Sequence, residues 1–520
     1  LHKEYRRQRQ MCIRDRRREM VVDLKPPRFS ETPLVDVEMD TSDFNIDQKT
    51  AFNTVLRTQD YCLILGMPGT GKTTVVAKII AALAKAGKSV LIASYTHSAV
   101  DNIVEKLLDI TKKPSVLRVG SPARISDKVR KYSLYSEDSI YQVKTQDDFD
   151  SAVMNTQIVA ATCLGINDLV FIHRRNFDYC IVDEASQVSM PVCLGPLALC
   201  DKFVLVGDHY QLPPLILSAE ARAGGLDKSL FRRLSEAHPE SVVQLSYQYR
   251  MCSDIMAVSN TLIYECRLKC GDDKVAHQTL HVPFLGRVEQ KFASLPLNHR
   301  WIDRVLAPET KVLFINHDEV PAREVCHGDK IENPTEAKLI VQLVKTLILG
   351  GVDQNSIGIM SFYKAQLRFF YRSFGSMFPD LDILTADRFQ GRDKECIIIS
   401  LVRSNDNSNA GDLLKEWRRV NVAMTRAKSK LIVFGSRKLM STVPQFEGFI
   451  ELFDSKSWFL NLPASTDTVY SSFLDFGSQQ SSPKKKARNH SIKRFMLSAN
   501  SAAIQKTSVV KDILDEESRD

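Results

Sequence analysis

Short apolar runs recur along the chain at intervals too wide for hairpins. Residues 61–65, 89–94, 158–161, 178–182 and 202–206 form a first series, with helical or polar stretches between them. A second series follows at 311–315, 357–361, 396–402 and 430–435. Runs that stay apolar through both side-chain faces belong inside a covered sheet, and strand–helix–strand alternation predicts parallel pairing. The expected fold class is α/β, with two tandem domains built as parallel sheets carrying helices on both faces. The first domain is expected over 43–240, with an insertion near 111–157. The second is expected over 241–455, with an insertion near 264–309. Residues 1–42 show no period and residues 464–520 are rich in Ser and Lys, so both are expected to be disordered.

Between the first apolar run and the helical stretch 75–86 lies Gly66-Met67-Pro68-Gly69-Thr70-Gly71-Lys72-Thr73, which matches G-x-x-x-x-G-K-[ST] at every fixed position. Glycines let the backbone wrap phosphates, a helix start presents free N–H groups, and Lys72 adds a point charge. Gly66, Gly69, Thr70, Gly71, Lys72, Thr73 and Thr74 are therefore assigned to a nucleoside triphosphate. Asp183-Glu184 ends a later apolar run, at the sheet edge where a Mg²⁺ ligand belongs. Asp183 would hold the ion with Thr73, and Glu184 would orient and deprotonate the attacking water. The next run ends in Gly207-Asp208-His209-Tyr210-Gln211-Leu212-Pro213-Pro214, a rigid turn whose Gln211 can report the γ-phosphate. Phosphoryl transfer gathers negative charge on the departing group, so a cation from outside the first domain is expected. Arg250 and Arg426 are the candidates.

Composition narrows the class. The chain has 520 residues, 44% of them hydrophobic, enough for several well-filled cores, and no apolar run long enough to span a bilayer. Its eleven cysteines are scattered with no C-x-x-C, which points to reduced thiols inside a cell and against a zinc or iron–sulfur site. The net charge of +8 is misleading. Residues 1–20 carry +5 and residues 481–495 carry +6, so the remainder is −3 and any phosphate track depends on local arrangement. The stretch Ser482-Pro483-Lys484-Lys485-Lys486-Ala487-Arg488 reads equally well as a nuclear-import signal or as solvated charge. The chain opens on Leu1 rather than Met, so it is expected to be either a fragment or a sequence whose first residues are not native.

Taken in order, these segments resemble the superfamily 1 helicases over about residues 43–450. Asn45-Ile46-Asp47-Gln48, the phosphate loop, the segment 94–102, Asp183-Glu184-Ala185-Ser186-Gln187 and the Gly207–Pro214 turn match the first domain. Gln248-Tyr249-Arg250-Met251, the segment 385–394 and Arg419 to Ala427 match the second. The Asp-Glu-Ala-Ser-Gln and Tyr-Arg-Met forms are those of superfamily 1B. The resemblance implies RecA-like domains, ATP and Mg²⁺ as cofactors, and 5′→3′ travel. Its substrates would be single-stranded, flapped or forked DNA, in Okazaki-fragment processing and end resection. It implies that Gln48 reads adenine, Tyr249 stacks on it, Asp393 takes the ribose position and Gln390 couples the nucleotide to the nucleic-acid track. Segment 94–102 and Thr162 would touch the strand. Single-strand-binding and repair proteins would be partners, in the nucleus and in a mitochondrial pool. Two positions depart from the usual pattern, Phe362 before Tyr363 and Tyr210 before Gln211. The first 42 residues are too few for the small barrel that relatives carry ahead of the motor. An ATP-gated clamp that does not unwind, and an RNA helicase of the same branch, stay open beside the DNA helicase reading.

Overall fold

A computed structural model of the chain describes residues 15–469, apart from residues 113, 135, 142, 144, 169–174, 297–298, 329, 375–376 and 390. The first sheet contains β1 (Tyr61–Gly66), β2 (Val90–Ser94), β3 (Val116–Arg118), β4 (Ile158–Thr162), β5 (Phe177–Asp183), β6 (Cys200–Gly207) and β7 (Val242–Leu245). Its order is β3-β4-β2-β5-β6-β1-β7, with every pair parallel. Two short strands, β8 (Tyr247–Gln248) and β9 (Lys269–Cys270), pair beyond it. After β10 (Val312–Asn316) comes an antiparallel hairpin of β11 (Val325–His327) and β12 (Lys330–Glu332). The strands β13 (Ile357–Ser361), β14 (Asp382–Thr385), β15 (Lys394–Ser400), β16 (Ala427–Gly435) and β17 (Phe459–Asn461) join β10 in a second parallel sheet. Its order is β14-β13-β15-β16-β10-β17. The two tandem α/β domains expected from the pattern are these two sheets with their helices.

Why the strands are apolar throughout is visible in which core each side chain enters. Along β1, Tyr61, Leu63 and Leu65 point into one cluster, while Cys62 and Ile64 point into another. Along β15, Ile397 and Ile399 enter that same first cluster, while Cys396 and Ile398 enter a third. Successive strand side chains face opposite sides, so a sheet covered on both faces must be apolar at both parities. The first cluster runs from one sheet to the other through Met251, Cys252, Ile255 and Tyr264, so the two domains share a continuous apolar seam.

Four features differ from expectation. Val242–Leu245, assigned to the second domain, pairs with β1 and belongs to the first. The 111–157 insertion contributes β3, the edge strand beside β4. The 264–309 insertion supplies Val288, Phe292, Trp301 and Ile302 to the core of the second domain, and β17 extends that domain past residue 455.

The segment expected to be disordered over 1–42 is packed from residue 15 onward. Its helix buries Met20 and Val21, and Val35 joins the first domain's outer core. The anchor is Asp60, a nearly inaccessible carboxylate that accepts from Arg16 Nε and Nη2 and from Arg28 N, Nε and Nη2 at 2.8–3.2 Å. Burial alone would raise the Asp60 carboxyl, but the Arg28 and Arg16 hydrogen bonds hold it far below the usual carboxylate range. A group held low contributes stability that is complete above its free-chain value of about 3.9 and is lost as pH falls through the native value. Docking of this segment should therefore persist unweakened down to mildly acidic pH. Asp60→Ala should loosen it at neutral and mildly acidic pH alike, at a cost of about 2–3 kcal/mol. Limited trypsin digestion at neutral pH checks this, with cleavage between Arg16 and Arg28 much faster in the variant than in the unmodified chain.

Candidate nucleotide site at the domain seam

The phosphate loop leaves the C-terminal end of β1, the point where a parallel sheet opens a crevice. Gly69 and Gly71 take φ of +74° and +77°, a backbone region that residues with a Cβ avoid. A Cβ on Gly69 would also lie 2.7 Å from the Arg250 Cβ, so the loop and the second domain's arginine approach as closely as glycine permits. The helix Lys72–Lys85 starts at the loop and is buried from Val75 to Leu83. Lys72 Nζ donates to the Gly66 carbonyl at 2.7 Å, and Thr70 Oγ1 donates to the Met67 carbonyl at 2.8 Å.

Beside the loop, Asn45 caps the helix Ile46–Arg57. Its Oδ1 accepts from the Gln48 amide at 2.9 Å, and Gln48 Oε1 accepts from the Asn45 amide at 3.2 Å. Gln48 also donates from Nε2 to the Thr70 carbonyl at 3.1 Å, which ties it to the loop. Tyr249 is partly exposed. Its hydroxyl accepts from Asn45 Nδ2 at 2.9 Å and its amide donates to the Gly69 carbonyl at 2.8 Å.

Asp183 ends β5 and is buried, and its Oδ1 has no hydrogen-bond partner. Burial, then the adjacent Glu184, raises its carboxyl to about 7, against the pull of Lys72. A buried, unpartnered carboxylate oxygen beside a second carboxylate is a fit for a cation. Glu184 sits in the left-handed region at φ 52° and accepts from Gln187 Nε2 at 2.8 Å.

One cavity of about 1130 Å³ is lined by Gly69 to Thr74, Asp183, Glu184, Gln211, Tyr249, Arg250, Asp393 and Arg426. Segment 94–102 contributes Tyr95, Thr96, Ser98, Ala99 and Asn102 to the same walls. The two arginines are held differently. Arg250 donates from Nε to Asp393 Oδ2 at 3.1 Å and from Nη1 to the Thr425 carbonyl at 3.2 Å. Arg426 is buried and donates to the Val422 carbonyl, to Thr425 Oγ1 and, at 3.3 Å, to Gln211 Oε1 of the first domain. Burial, then Arg250, lowers its guanidinium to about 9, so it remains a cation at neutral pH.

Most residues singled out from the sequence line this cavity; Gly66, Gln48 and Thr162 do not. Gln390 lies outside the described residues. Thr162 is buried and its Oγ1 accepts from the Gly165 amide at 3.0 Å, so it shapes a turn instead of presenting a surface. Asp393 is already engaged by Arg250 and by Lys428, which sits 3.0 Å away. Against the burial that would raise it, those two cations hold the Asp393 carboxyl below its ordinary value. Lys428 was not singled out from the sequence, although it stands two residues after Arg426. Arg118 was also missed. It is a fully buried cation in β3 that donates to Asp101 Oδ1 at 2.7 Å and contacts His97 Nδ1 at 3.1 Å, fixing the segment 94–102 from beneath. An arginine inside a short apolar run was the available signal.

Known proteins resemble this chain along most of its length. Family models described as AAA domains match residues 43–144 and 136–219, and residues 226–438. The DNA replication ATP-dependent helicase/nuclease of Saccharomyces cerevisiae is 44% identical over 510 residues, covering 96% of this chain and 33% of that protein. The chain belongs to the superfamily 1B helicases. The enzyme of the same description in Arabidopsis thaliana is 42% identical over 453 residues, covering 86% of this chain and 33% of that protein. That of Homo sapiens is 40% identical over 457 residues, covering 86% and 43%. The chain thus spans between a third and under half of the curated relatives it matches, and it corresponds to their helicase half. No described helix is long and apolar enough to cross a membrane.

Proposed function

We propose that this chain is the motor of a DNA helicase, hydrolysing ATP to travel 5′→3′ along single-stranded DNA in replication and repair. The observation that carries the reading is that the phosphate loop, two carboxylates and two second-domain arginines line one cavity. In this reading the loop amides and Lys72 bind the phosphates, Glu184 takes the proton of the attacking water, and Gln211 senses the γ-phosphate. Arg250 and Arg426 balance the charge that develops on the departing phosphoryl group. Gln48 and Tyr249 hold the base, and Asp393 the ribose. A divalent ion, Mg²⁺ in the cell, would be held by Thr73 and Asp183 and would supply charge neutralisation at the phosphates. Because the arginines and the loop belong to different domains, nucleotide binding draws the domains together and product release lets them part. Strand contacts on segment 94–102 then alternate with contacts on the second domain. We assign the activity to nuclear DNA metabolism, with a mitochondrial pool, on flapped or forked substrates and beside single-strand-binding proteins.

Phosphate release and strand displacement, measured on this chain with DNA and RNA of one sequence, test the reading. The expected result is strong stimulation by single-stranded DNA, weaker stimulation by RNA, and displacement of a duplex with a 5′ overhang. Hydrolysis without displacement would make the chain a clamp. Equal or greater stimulation by RNA would make it an RNA motor, since only the 2′-hydroxyl separates the two backbones.

A further inference from the structure

At the seam behind the two arginines lies a buried polar network that joins two of the sequence motifs through Tyr264, a residue that no motif marked. Its centre is Asp208, which follows β6 and is inaccessible to solvent. Its Oδ1 accepts from the Tyr210 amide at 3.0 Å. Its Oδ2 accepts from Gln211 Nε2 at 2.7 Å and from the hydroxyl of Tyr264 at 2.7 Å. Tyr264 belongs to the other domain. It follows the helix Ser253–Leu262, which packs on β16 and on the helix Trp417–Met424 that leads to Arg426. Asn421, on that last helix, donates from Nδ2 to the Tyr264 hydroxyl at 3.0 Å and to the Tyr210 carbonyl at 3.0 Å.

The chemistry of these groups fixes their directions. A carboxylate only accepts, so Gln211 must turn its NH₂ toward Asp208, which leaves its Oε1 facing Arg426 Nη2 at 3.3 Å. A tyrosine hydroxyl has one proton, and here it goes to Asp208 while the oxygen accepts from Asn421. Burial, then Asp208, pushes the Tyr264 hydroxyl far above its ordinary pKa, so it stays a donor throughout the working pH range. The Tyr210 ring packs edge-on against Tyr264 with ring centroids 5.6 Å apart.

We infer that Tyr264 is a positioning residue, a seam latch that sets the Gln211 amide and Arg426 for phosphoryl transfer when the domains meet. It is the second domain's donor to Asp208, and Asn421 ties it to the helix that carries the arginine. Without its hydroxyl, Asp208 is left under-compensated one amide away from Arg426 and competes with the phosphate for that cation. The domains cannot part without breaking the Tyr264–Asp208 bond, so the latch also reports separation. The inference rests on the nucleotide reading of the cavity.

Steady-state ATP hydrolysis by the full chain, with saturating single-stranded DNA, tests it in Tyr264→Phe, Asn421→Ala and the double variant, each with a melting curve. Tyr264→Phe keeps the ring and removes one hydrogen bond to a charged group. Its kcat should fall about 10-fold, with KM for ATP within about 2-fold of the unmodified chain. Asn421→Ala should act in the same direction. The double variant should be no worse than about 2-fold below the poorer single, because both cut one linkage. A Tyr264→Phe protein that turns over at the normal rate, or losses that multiply in the double variant, overturns the latch. So does a loss that disappears once rates are divided by the folded fraction. Should Tyr264→Phe fail to fold, Asn421→Ala decides alone: a lower kcat at constant KM supports the latch, and a normal kcat overturns it. If the unmodified chain hydrolyses no ATP, the functional reading fails and takes the latch with it. Normal hydrolysis with a normal Tyr264→Phe removes the latch only.

Discussion

Lys72→Ala is expected to abolish DNA-stimulated ATP hydrolysis while leaving the fold intact. A Cβ built on Gly66 would fall 2.1 Å from Lys72 Cγ and Cδ, so the lysine stem lies flat on the bare Gly66 backbone. The stem cannot swing away on that side, and Nζ is delivered to the mouth of the loop, where it donates to the Gly66 carbonyl. Lys72 is also the cation that opposes the rise of the Asp183 carboxyl. Removing it strips the cradle of its fixed positive charge while two carboxylates remain beside it. Loss of one preorganised electrostatic contact of this kind typically costs about 10²–10³-fold in turnover. Alanine is the best helix former and Lys72 stands at the first turn of its helix, so the melting temperature should not fall. Phosphate release at saturating DNA, set beside thermal melting, measures both halves. Normal turnover by a well-folded variant would remove the phosphate loop from the chemistry and with it the motor reading.

How far the molecule was legible depended on how local each feature is. The central strands were readable because they are covered on both faces. Cys62 to Leu65, Cys180 to Val182 and Ile397 to Ile399 are apolar at every position, and no loop needs that. The edge strands were not. Strand β3 has three residues and carries Arg118, β17 has three residues, and β14 opens on Asp382. A strand with one neighbour has one face or edge to satisfy, and so it imposes little pattern on its sequence. Strand β7 was not read as a strand and its residues were given to the wrong domain, since its partners in β1 lie 179 positions away in the chain. The site followed the same rule. Consecutive groups such as Gly66 to Thr73 or Asp183-Glu184 announce their chemistry, because spacing and strand ends fix where they point. Tyr264, Asn421, Lys428 and Arg118 do not, because each acts through a partner far along the chain. The packed segment after residue 15 is the extreme case. Its arginines look like a solvated charge run until Asp60, 44 residues from Arg16, supplies the acceptor.

The second arginine of the pair carries the other large effect. Arg426→Ala should lower kcat about 10³-fold while KM for ATP changes little, the behaviour of a group that meets charge only as it develops. Its environment makes it the stronger candidate of the two. Arg250 already spends its Nε on Asp393, whereas Arg426 is held by neutral acceptors, the Val422 carbonyl, Thr425 Oγ1 and Gln211 Oε1. A buried guanidinium whose partners are all neutral keeps its full charge for a ligand, and at about 9 its pKa leaves it protonated under working conditions. The fork is needed too, because one edge rests on its own helix while another reaches the first domain. Arg426→Lys, with a point charge and no fork, should recover less than about a tenth of the lost rate. Initial rates across a range of ATP concentrations separate kcat from KM in both variants. A fall confined to KM would make Arg426 a ground-state phosphate contact. A variant within about tenfold of normal would mean that the developing charge is met by another cation. In either case Arg426 would not couple fuel to movement, and the coupling would have to run through a different residue, with Arg250 the next second-domain cation on the cavity wall.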